Sequence, residues 1–406
     1  MVYRLGSAIP VPFITSSALT QMFSNGNMLA YLDMMSGGAL SRCTLFALGV
    51  TPYINASIIV QLLTVAIPSL ENLAKEPDGQ TKLQQITRYA GGIIGLVMSI
   101  GYYFVIRNMG ALKYTSGTAG IFTAVVIIAT FTAGAQLITW CGEQIDDKGI
   151  GNGLSLLIFS SIVSNWSSLY TTVAGLLTRA AAGETQFYIL LPLLVVLALV
   201  VIVFIVIMTN AERRITIQYA KRVVGRKQMG GQNSYLPLKL NMSGVMPIIF
   251  ASALVSIPGT IGSFLQIDQA AHPFWYAFFH TFNYTSLLYV VIYLLLILAF
   301  NYFYVAIQYN PIEIANNLRR NNGSIPGFRP GKPTSDFITR TLNKITLLGA
   351  IFLAAVAVLP IILGNLTGMS IQLGGTSLLI VVGVALDTTR SLDSFMTMRN
   401  HKGFLG

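Results

Sequence analysis

Long apolar runs separated by short polar segments dominate this chain. Nine of the runs can cross a bilayer, because a transmembrane helix needs about 20 predominantly apolar residues. They lie at 50–68, 86–107, 119–141, 150–174, 187–210, 243–265, 286–309, 341–364 and 374–394. The pattern therefore predicts an all-α polytopic membrane protein.

The N-terminal stretch, MVYRLGSAIPVPFI, is apolar but too short to span the membrane. It lacks the basic head, apolar run and small-residue cleavage site of a signal peptide. We expect it to be the outer end of a first helix whose beginning is absent from this sequence. With that helix restored, the predicted protein has ten spans.

The most informative interruption is SGGALSRCTLFALGVTPYINASIIVQL, at residues 36–62. It contains an apolar stretch about half as long as a transmembrane span. Gly37 and Gly38 precede this stretch and Gly49 and Pro52 follow it, and glycine and proline both interrupt helices. Broken backbone at membrane depth is stable only where it is buried in protein or lines a cavity. We therefore predict a channel or carrier that encloses a short re-entrant helix formed by Ala39, Leu40, Ser41, Arg42, Cys43, Thr44, Leu45, Phe46, Ala47 and Leu48.

Charge fixes the predicted orientation. Only 10% of the residues are charged, but 25 Lys/Arg against 14 Asp/Glu give a formal net charge of +11. If the loop at 211–242 is cytoplasmic, 20 of the basic residues lie in or beside cytoplasmic loops, and the positive-inside rule selects that orientation. With the first helix restored, both termini are cytoplasmic.

The two cysteines and three histidines show no disulfide or metal-site spacing, so we predict no metal and no cofactor.

The chain divides into two predicted halves, 1–176 and 177–406. Counting the incomplete first helix, each half has five spans, and because five is odd the halves have opposite orientations. Two halves with an odd number of spans and opposite orientations are typical of an inverted repeat, in which the functional path lies between the halves. A ten-helix protein without internal symmetry remains the alternative.

Two cytoplasmic loops contain most of the polar residues. In the first loop, 213–219 alternates apolar and polar residues, and SYLPLKL is a second extended run, so the pair predicts a β-hairpin with a basic tip. In the second loop, Asn310, Pro311 and Glu313 form a helix-start signal. After that short helix, GSIPGFRPGKPT holds Arg329 between Gly/Pro pairs.

A structured hairpin and a capped helix are more than membrane orientation requires. We therefore interpret both loops as a docking surface for an anionic partner, either ribosomal RNA or an acidic motor protein. The docking residues are Lys221, Arg222, Arg226, Lys227, Arg319, Arg320 and Arg329. The simpler alternative, orientation plus contact with anionic lipid, is our interpretation of Lys75, Lys82 and Lys148.

The centres of the predicted spans contain no carboxylate, histidine or lysine. Ion-coupled transporters usually have such residues, so their absence argues against proton coupling and, less strongly, against sodium coupling. Protease and phosphate-loop motifs are also missing, and we predict that the chain is not an enzyme. A polypeptide conduit and a secondary solute transporter with a broken-helix binding site both remain open at this point.

Several segments together resemble the SecY family, the channel subunits of the bacterial protein-translocation complex. They are VYRLGSAIPVP, SGGALSRCTLFALGVTPYINASIIVQLLT, GEQIDDKGIGNGLSLLIF, QYAKRVVGRK with LPLKLNMSGVMPIIFAS, NPIEIANNLRRNNGSIPGFRPGKPT, and FLAAVAVLP with GGTSLLIVVGVALD. Their order and spacing agree with the family along the whole chain. The sequence departs from the family in two respects: the basic amphipathic N-terminus and most of the first helix are missing, and the tail ends at HKGFLG.

The resemblance implies a ten-helix, inverted-repeat channel that passes secretory polypeptides and releases membrane segments sideways. It places the plug at the short helix of residues 39–48 and the lateral gate between the helices at 50–68 and 86–107 and those at 243–265 and 286–309. It places the pore ring on Val50, Ile54, Leu154, Ile158, Ile249 and Ile380. Family rings are often rich in isoleucine, and valine and leucine at two positions keep the apolar character.

The resemblance also implies partners and a location. The expected partners are the SecE and SecG subunits, the SecA ATPase, the ribosome, signal peptides and nascent polypeptides, and the two basic loops would dock SecA or the ribosome. The expected location is the bacterial cytoplasmic membrane. Because the chain has no hydrolytic motif, the driving energy would come from a partner.

Overall fold

The computed structural model describes most of the chain, with gaps. The described residues are 2–15, 33, 36–76, 78–108, 110–164, 170, 173–175, 177–178, 181, 186–219, 222–224, 227–229, 233–265, 273–281, 286–367 and 375–401.

Helices dominate the described part of the chain. In the first half they are α1 (Val2–Gly6), α2 (Thr51–Ala66), α3 (Pro68–Lys75), α4 (Gly79–Asn108), α5 (Gly117–Lys148) and α6 (Gly153–Ser164). In the second half they are α7 (Gln186–Asn210), α8 (Met246–Leu265), α9 (Pro273–Thr281), α10 (Leu287–Gln308), α11 (Pro311–Arg320), α12 (Lys332–Thr367) and α13 (Gly375–His401). Each of the nine predicted spans overlaps a helix, although 165–169 and 171–172 of the predicted span 150–174 lie outside the described residues.

Five described helices, α4, α5, α7, α10 and α12, are long and apolar enough to cross a membrane. The pair α2 and α3 meets the same length and composition criteria only when taken together, as a broken span or a re-entrant loop, and bends by 105° between its two parts. The bend falls at Ile67, whose backbone is extended (φ −110°, ψ 113°) because the following Pro68 disfavours the helical conformation at that position. Helices α6 and α8 are apolar but shorter in the described residues.

Eight helices form a closed ring. In the first half, α2 packs on α4, α4 on α5 and α5 on α6; in the second half, α8 packs on α10, α10 on α12 and α12 on α13. Two further contacts, α2 with α8 and α6 with α13, join the halves. The contact order is the same in both halves, and α1 contacts α6 just as α7 contacts α13. This repetition is what the inverted repeat predicts, while the half boundary at 176/177 stays a prediction.

The two large basic loops form a small sheet on one end of the ring of helices. Strands β1 (Glu212–Tyr219) and β4 (Asn233–Lys239) pair antiparallel, as the sequence predicted, and β5 (Gly323–Ser324) pairs with the other edge of β1. Between β1 and β4, the short strands β2 (Arg222–Val224) and β3 (Lys227–Met229) form a second hairpin. Apolar side chains from both loops and from α12 pack beneath this sheet, among them Ile217, Leu238, Ile325, Leu318 and Ile338.

Candidate functional site

The predicted ring residues lie on the four helices that join the two halves. Val50 precedes α2 and Ile54 is in its first turn, Leu154 and Ile158 are in α6, Ile249 is in α8 and Ile380 is in α13. Five of the side chains are buried, with exposed fractions of 4–7%, and all five belong to one apolar cluster, against which Leu154 packs. The structure therefore places the six aliphatic residues in or against one large apolar cluster where the halves meet, a cluster that also contains aromatic side chains.

The six ring residues are chemically uniform. Aliphatic side chains offer no hydrogen-bond donor or acceptor, so they impede ions by excluding water and hold no solute by specific contacts. Among the described residues, no group of three His, Cys, Asp or Glu side chains is placed to bind a metal ion. The cluster is thus suited to sealing a passage rather than to recognising a ligand.

The predicted plug segment (residues 39–48) is compact but does not form the expected helix. The structure has successive turns from Ser36 to Val50, broken only by a short bridge between Thr44 and Pro10. Left-handed backbone at Gly37 (φ 68°), Cys43 (φ 46°) and Gly49 (φ 55°) explains the difference, because a right-handed helix cannot include such residues. The apolar composition of the segment reflects burial, not helical periodicity.

Side chains of the plug segment are buried on two sides. Leu40, Cys43 and Leu48 belong to an apolar cluster with residues of α4 and α5, such as Tyr102 and Phe131. On the other side, Phe46 belongs to the cluster that contains the ring residues. The segment therefore connects the ring cluster to the first-half helices.

The approach of the plug segment to its neighbours depends on two glycines. A Cβ atom at Gly134 of α5 would overlap the carbonyl oxygen of Leu45, and a Cβ atom at Gly6 of α1 would overlap the ring of Phe46. The ring of Phe46 also stacks on Tyr3, with 5.7 Å between centroids. Glycines therefore allow the Leu45 backbone to lie directly against α5 and the Phe46 ring to lie directly against α1.

Asp33 closes the turn that precedes the plug segment. Its Oδ1 accepts a hydrogen bond from the Ser41 amide at 2.7 Å, and its backbone carbonyl accepts one from the Gly38 amide at 2.8 Å. Tyr3 Oη donates a hydrogen bond to the Ser36 carbonyl at 2.6 Å. Sequence reasoning did not select Asp33 or Tyr3, because neither forms a motif and their partners lie in an irregular segment.

The predicted docking residues of the second loop are exposed on a rigid support. The Asn310 side chain accepts hydrogen bonds from the amides of Ile312 and Glu313, which confirms the predicted helix cap. Arg319 and Arg320 are exposed in the last turn of α11. The structure thus presents both guanidinium groups to solvent at a fixed position.

Arg329 lies in a loop held at three points. Its carbonyl oxygen accepts a hydrogen bond from Thr334 Oγ1 at 2.8 Å, the neighbouring Phe328 ring packs on Phe337 with 4.3 Å between centroids, and Ile325 is buried beneath the sheet. The Arg329 side chain itself is exposed. A fixed backbone with a free cationic end is the arrangement expected of a recognition residue.

The docking residues of the first loop are only partly covered by the structure. The backbone of Arg222 is in β2 and that of Lys227 in β3, and the two strands pair with each other. Lys221 and Arg226 lie outside the described residues. The pairing of β5 with β1, which sequence reasoning missed, joins the two basic loops into one unit.

The contacts of α8 define the candidate lateral gate. This helix packs on α2 and α4 of the first half and on α10 of the second half. All four predicted gate helices therefore meet around α8, next to the ring cluster. The second junction, between α6 and α13, lies on the other side of the ring of helices.

Solved structures share this architecture. A structure described as a protein conducting channel superposes with a TM-score of 0.61 at 16% identity, over 96% of this chain and 89% of the other. A structure from a study of the SecY plug domain gives a TM-score of 0.59 at 17% identity, over 96% of this chain and 88% of the other. Canine Sec61 in a ribosome-channel complex also gives a TM-score of 0.59, at 16% identity, over 96% of this chain and 89% of the other. The fold is that of a protein-conducting channel.

Sequence comparison is more specific. The family model for SecY matches residues 44–389. The protein translocase subunits SecY of Mycobacterium tuberculosis and Halalkalibacterium halodurans are 39% and 40% identical to this chain, each over all of this chain and 94% of the relative. The chain therefore belongs to the SecY family of multi-pass membrane channels. It is a protein-conducting channel subunit, not an enzyme, and the solute-transporter alternative has no support.

Proposed function

We propose that polypeptides cross the membrane through the aliphatic cluster of Val50, Ile54, Leu154, Ile158, Ile249 and Ile380. The observation that carries this proposal is the placement of all six residues on the four helices that join the halves. A conduit for many different polypeptides cannot rely on specific polar contacts, since tight binding would stall transit. An aliphatic constriction tolerates any sequence and excludes water when it is narrow.

The plug segment is proposed to close this passage from one side. Its Phe46 belongs to the apolar cluster that contains the ring residues. Its turns are held by local backbone hydrogen bonds, not by the continuous hydrogen bonding of a transmembrane helix. Such a segment can leave its site without breaking the contacts of the eight-helix ring. The described study of a SecY plug domain, which attributes closed-state stability and a membrane seal to that domain, supports the proposal.

We further propose that the gate around α8 opens sideways to release membrane segments into lipid. Separation of α8 from α2 and α4 would open one junction of the closed ring while α6 and α13 keep the halves together. An apolar signal peptide leaving through this opening exchanges contacts with protein for contacts with lipid.

The basic unit formed by the two loops is proposed to dock the ribosome and the SecA ATPase, with SecE and SecG as partner subunits. The exposed arginines on a rigid support favour an anionic surface. The canine Sec61 structure was obtained in a ribosome-channel complex, which is consistent with this assignment. The proposed location is the bacterial cytoplasmic membrane, with both termini in the cytoplasm, because the basic loops follow the positive-inside rule.

Crosslinking tests the path directly. A photoreactive residue at Ile158, which faces the ring cluster, is expected to crosslink a secretory precursor arrested during transport. The same probe at Ile127, equally buried but in the cluster of α4 and α5, is expected to give none. Equal crosslinking at both positions, or none at Ile158, would contradict the proposed path.

Polar substitution in the ring is expected to make the closed channel conduct ions. Ile54→Asn or Ile380→Asn introduces an amide that binds water and removes the dewetting barrier. Bilayer recordings should show closed-state conductance well above that of wild type. The control is Ile127→Asn, which should lower thermal stability by leaving a buried amide without partners but should add no conductance. If both variants only lose stability, the ring residues are ordinary packing.

Removal of the Asp33 carboxylate is expected to loosen the plug segment. Asp33→Ala leaves the Ser41 amide without its acceptor, at a cost of about 1–3 kcal/mol for a buried donor. The expected result is a small, intermittent ion leak in bilayer recordings. Asp33→Asn retains an oxygen acceptor and should restore most of the seal. An Asp33→Asn leak as large as that of Asp33→Ala would show that the hydrogen bond does not hold the segment.

A further inference from the structure

An open apolar groove runs along the outside of the helix ring between α10 and α12. It has a volume of about 500 Å³. Its wall includes Leu294 and Leu298 of α10 and Ile351, Ala354, Ala355 and Leu359 of α12. None of the six predicted ring residues lines the groove, although Ala354 also belongs to the apolar cluster that contains them.

One end of the groove is marked by a cation and a phenol. Lys344, Leu348, Ile351 and Ala355 follow one another at helical spacing on α12, so Lys344 lies on the groove face about 10 Å before Ile351. On α10, Tyr302 continues the row of Leu294 and Leu298, and its Oη donates a hydrogen bond to the Asn343 carbonyl at 3.4 Å. Lys344 and Tyr302 therefore lie just beyond the lining residues, at the cytoplasmic end of the groove.

Within the described ranges, no ion pair neutralises the charge at this end. Lys344 is exposed, and the ion pairs found among the described residues do not include it. The nearest charged residue along α12 is Arg340, one helical turn from Lys344. Asp336 lies one turn beyond Arg340, so its negative charge is closer to Arg340 than to Lys344. A cation next to a tyrosine at the membrane boundary is a typical site for a lipid headgroup.

We propose that this groove binds one anionic phospholipid of the inner leaflet. The phosphate would contact Lys344, and one acyl chain would lie along Ile351, Ala355 and Leu359 toward the membrane centre. The groove extends about 16 Å from Ile351 to Ile362, which matches the reach of an acyl chain better than that of a protein side chain. A neutral lipid would fill the groove but would not use the cation.

Fluorescence quenching by brominated lipids tests the proposal. Leu348→Trp places a probe between Lys344 and the groove wall without filling the groove, since Leu348 is exposed. Val196→Trp on α7 is the matched control, because Val196 is exposed on an apolar helix without a cation nearby. The intact protein is reconstituted in vesicles of phosphatidylcholine and phosphatidylglycerol, with one lipid brominated at a time, and wild type supplies the background signal.

The expected preference for phosphatidylglycerol is about fivefold at residue 348 and absent at residue 196, since one basic residue near anionic lipid gives roughly that factor. Lys344→Gln should remove the preference, and Ala355→Phe should reduce it by blocking the chain, with Ala355→Leu as a milder substitute if folding suffers. Equal quenching by both lipids at residue 348 overturns the proposal. The proposal is also overturned if the preference for phosphatidylglycerol persists in Lys344→Gln, or if it persists in both Ala355→Phe and Ala355→Leu. If neither brominated lipid quenches the probe at residue 348 while both quench the probe at residue 196, a polypeptide rather than a lipid covers the groove, and the proposal is overturned.

Discussion

Charge reversal of Arg329 is expected to abolish most ATP-driven translocation while leaving membrane insertion unchanged. The Arg329 guanidinium is exposed, but its backbone is fixed by Thr334 and by the packing of Phe328 on Phe337. A partner that binds this side chain gains a contact at little cost in ordering the loop. Arg329→Glu removes that contact and adds repulsion toward an anionic partner.

The expected loss can be sized. Truncating one partner of a buried, hydrogen-bonded interfacial charge pair costs about 2–5 kcal/mol, so binding of the partner should weaken by about thirtyfold or more. Transport of a secretory precursor into vesicles should fall accordingly at limiting partner concentration, and excess partner should restore part of it. Protease mapping should show unchanged orientation, because one charge among the 20 basic residues predicted to be cytoplasmic cannot reverse the bias.

Three further variants separate docking from orientation. Arg329→Lys keeps the charge but loses the planar fork, and intermediate transport would indicate that guanidinium geometry contributes. Lys75→Glu reverses a charge at the end of α3 on the same side of the membrane, and we expect nearly normal transport. Wild-type transport by Arg329→Glu, or an equal defect in Lys75→Glu, would contradict the docking role of the Arg329 loop.

The sequence predicted the elements of this fold well because most of its signals are local. Apolar length identified every predicted span, and the Asn310–Pro311 start identified the short helix α11. The bend at Ile67 also has a local cause, the following proline, although the sequence reasoning treated 50–68 as one span. Local steric rules act the same way in any tertiary context, so such features can be predicted from sequence.

The features that sequence reasoning missed depend on contacts between distant residues. The plug segment was predicted as a helix from its apolar composition, but Cys43 adopts left-handed backbone that no neighbouring residue requires. The pairing of β5 with β1 joins residues more than 100 positions apart. The ring residues were chosen by family resemblance, since an aliphatic residue at helical spacing looks the same in a pore as in ordinary packing. Only the closure of the helix ring placed them together.

Deletion of the plug segment is expected to have the other large effect. Removal of Ala39–Leu48 leaves the contacts among the eight ring helices in place, because none of them runs through the segment. The deletion removes Phe46 from the ring cluster and opens one side of the constriction. We expect a folded protein with a large ion conductance in bilayer recordings and with transport of precursors that carry defective signal peptides. A deletion that stays ion-tight and equally selective would contradict the plug assignment.

A single methyl group offers a sharper version of the same test. Gly134→Ala places a Cβ atom against the carbonyl oxygen of Leu45, so the plug segment has to move away from α5. The matched control is Gly91→Ala on α4, where the nearest atom, the Cα of Tyr53, would lie at an ordinary contact distance of 3.5 Å. Both changes add one methyl group to a glycine of a spanning helix. If the segment seals the pore, only Gly134→Ala should leak, at thermal stability close to that of Gly91→Ala. If the two variants are equally tight, the approach of Leu45 to α5 serves packing alone and the seal depends on the ring residues.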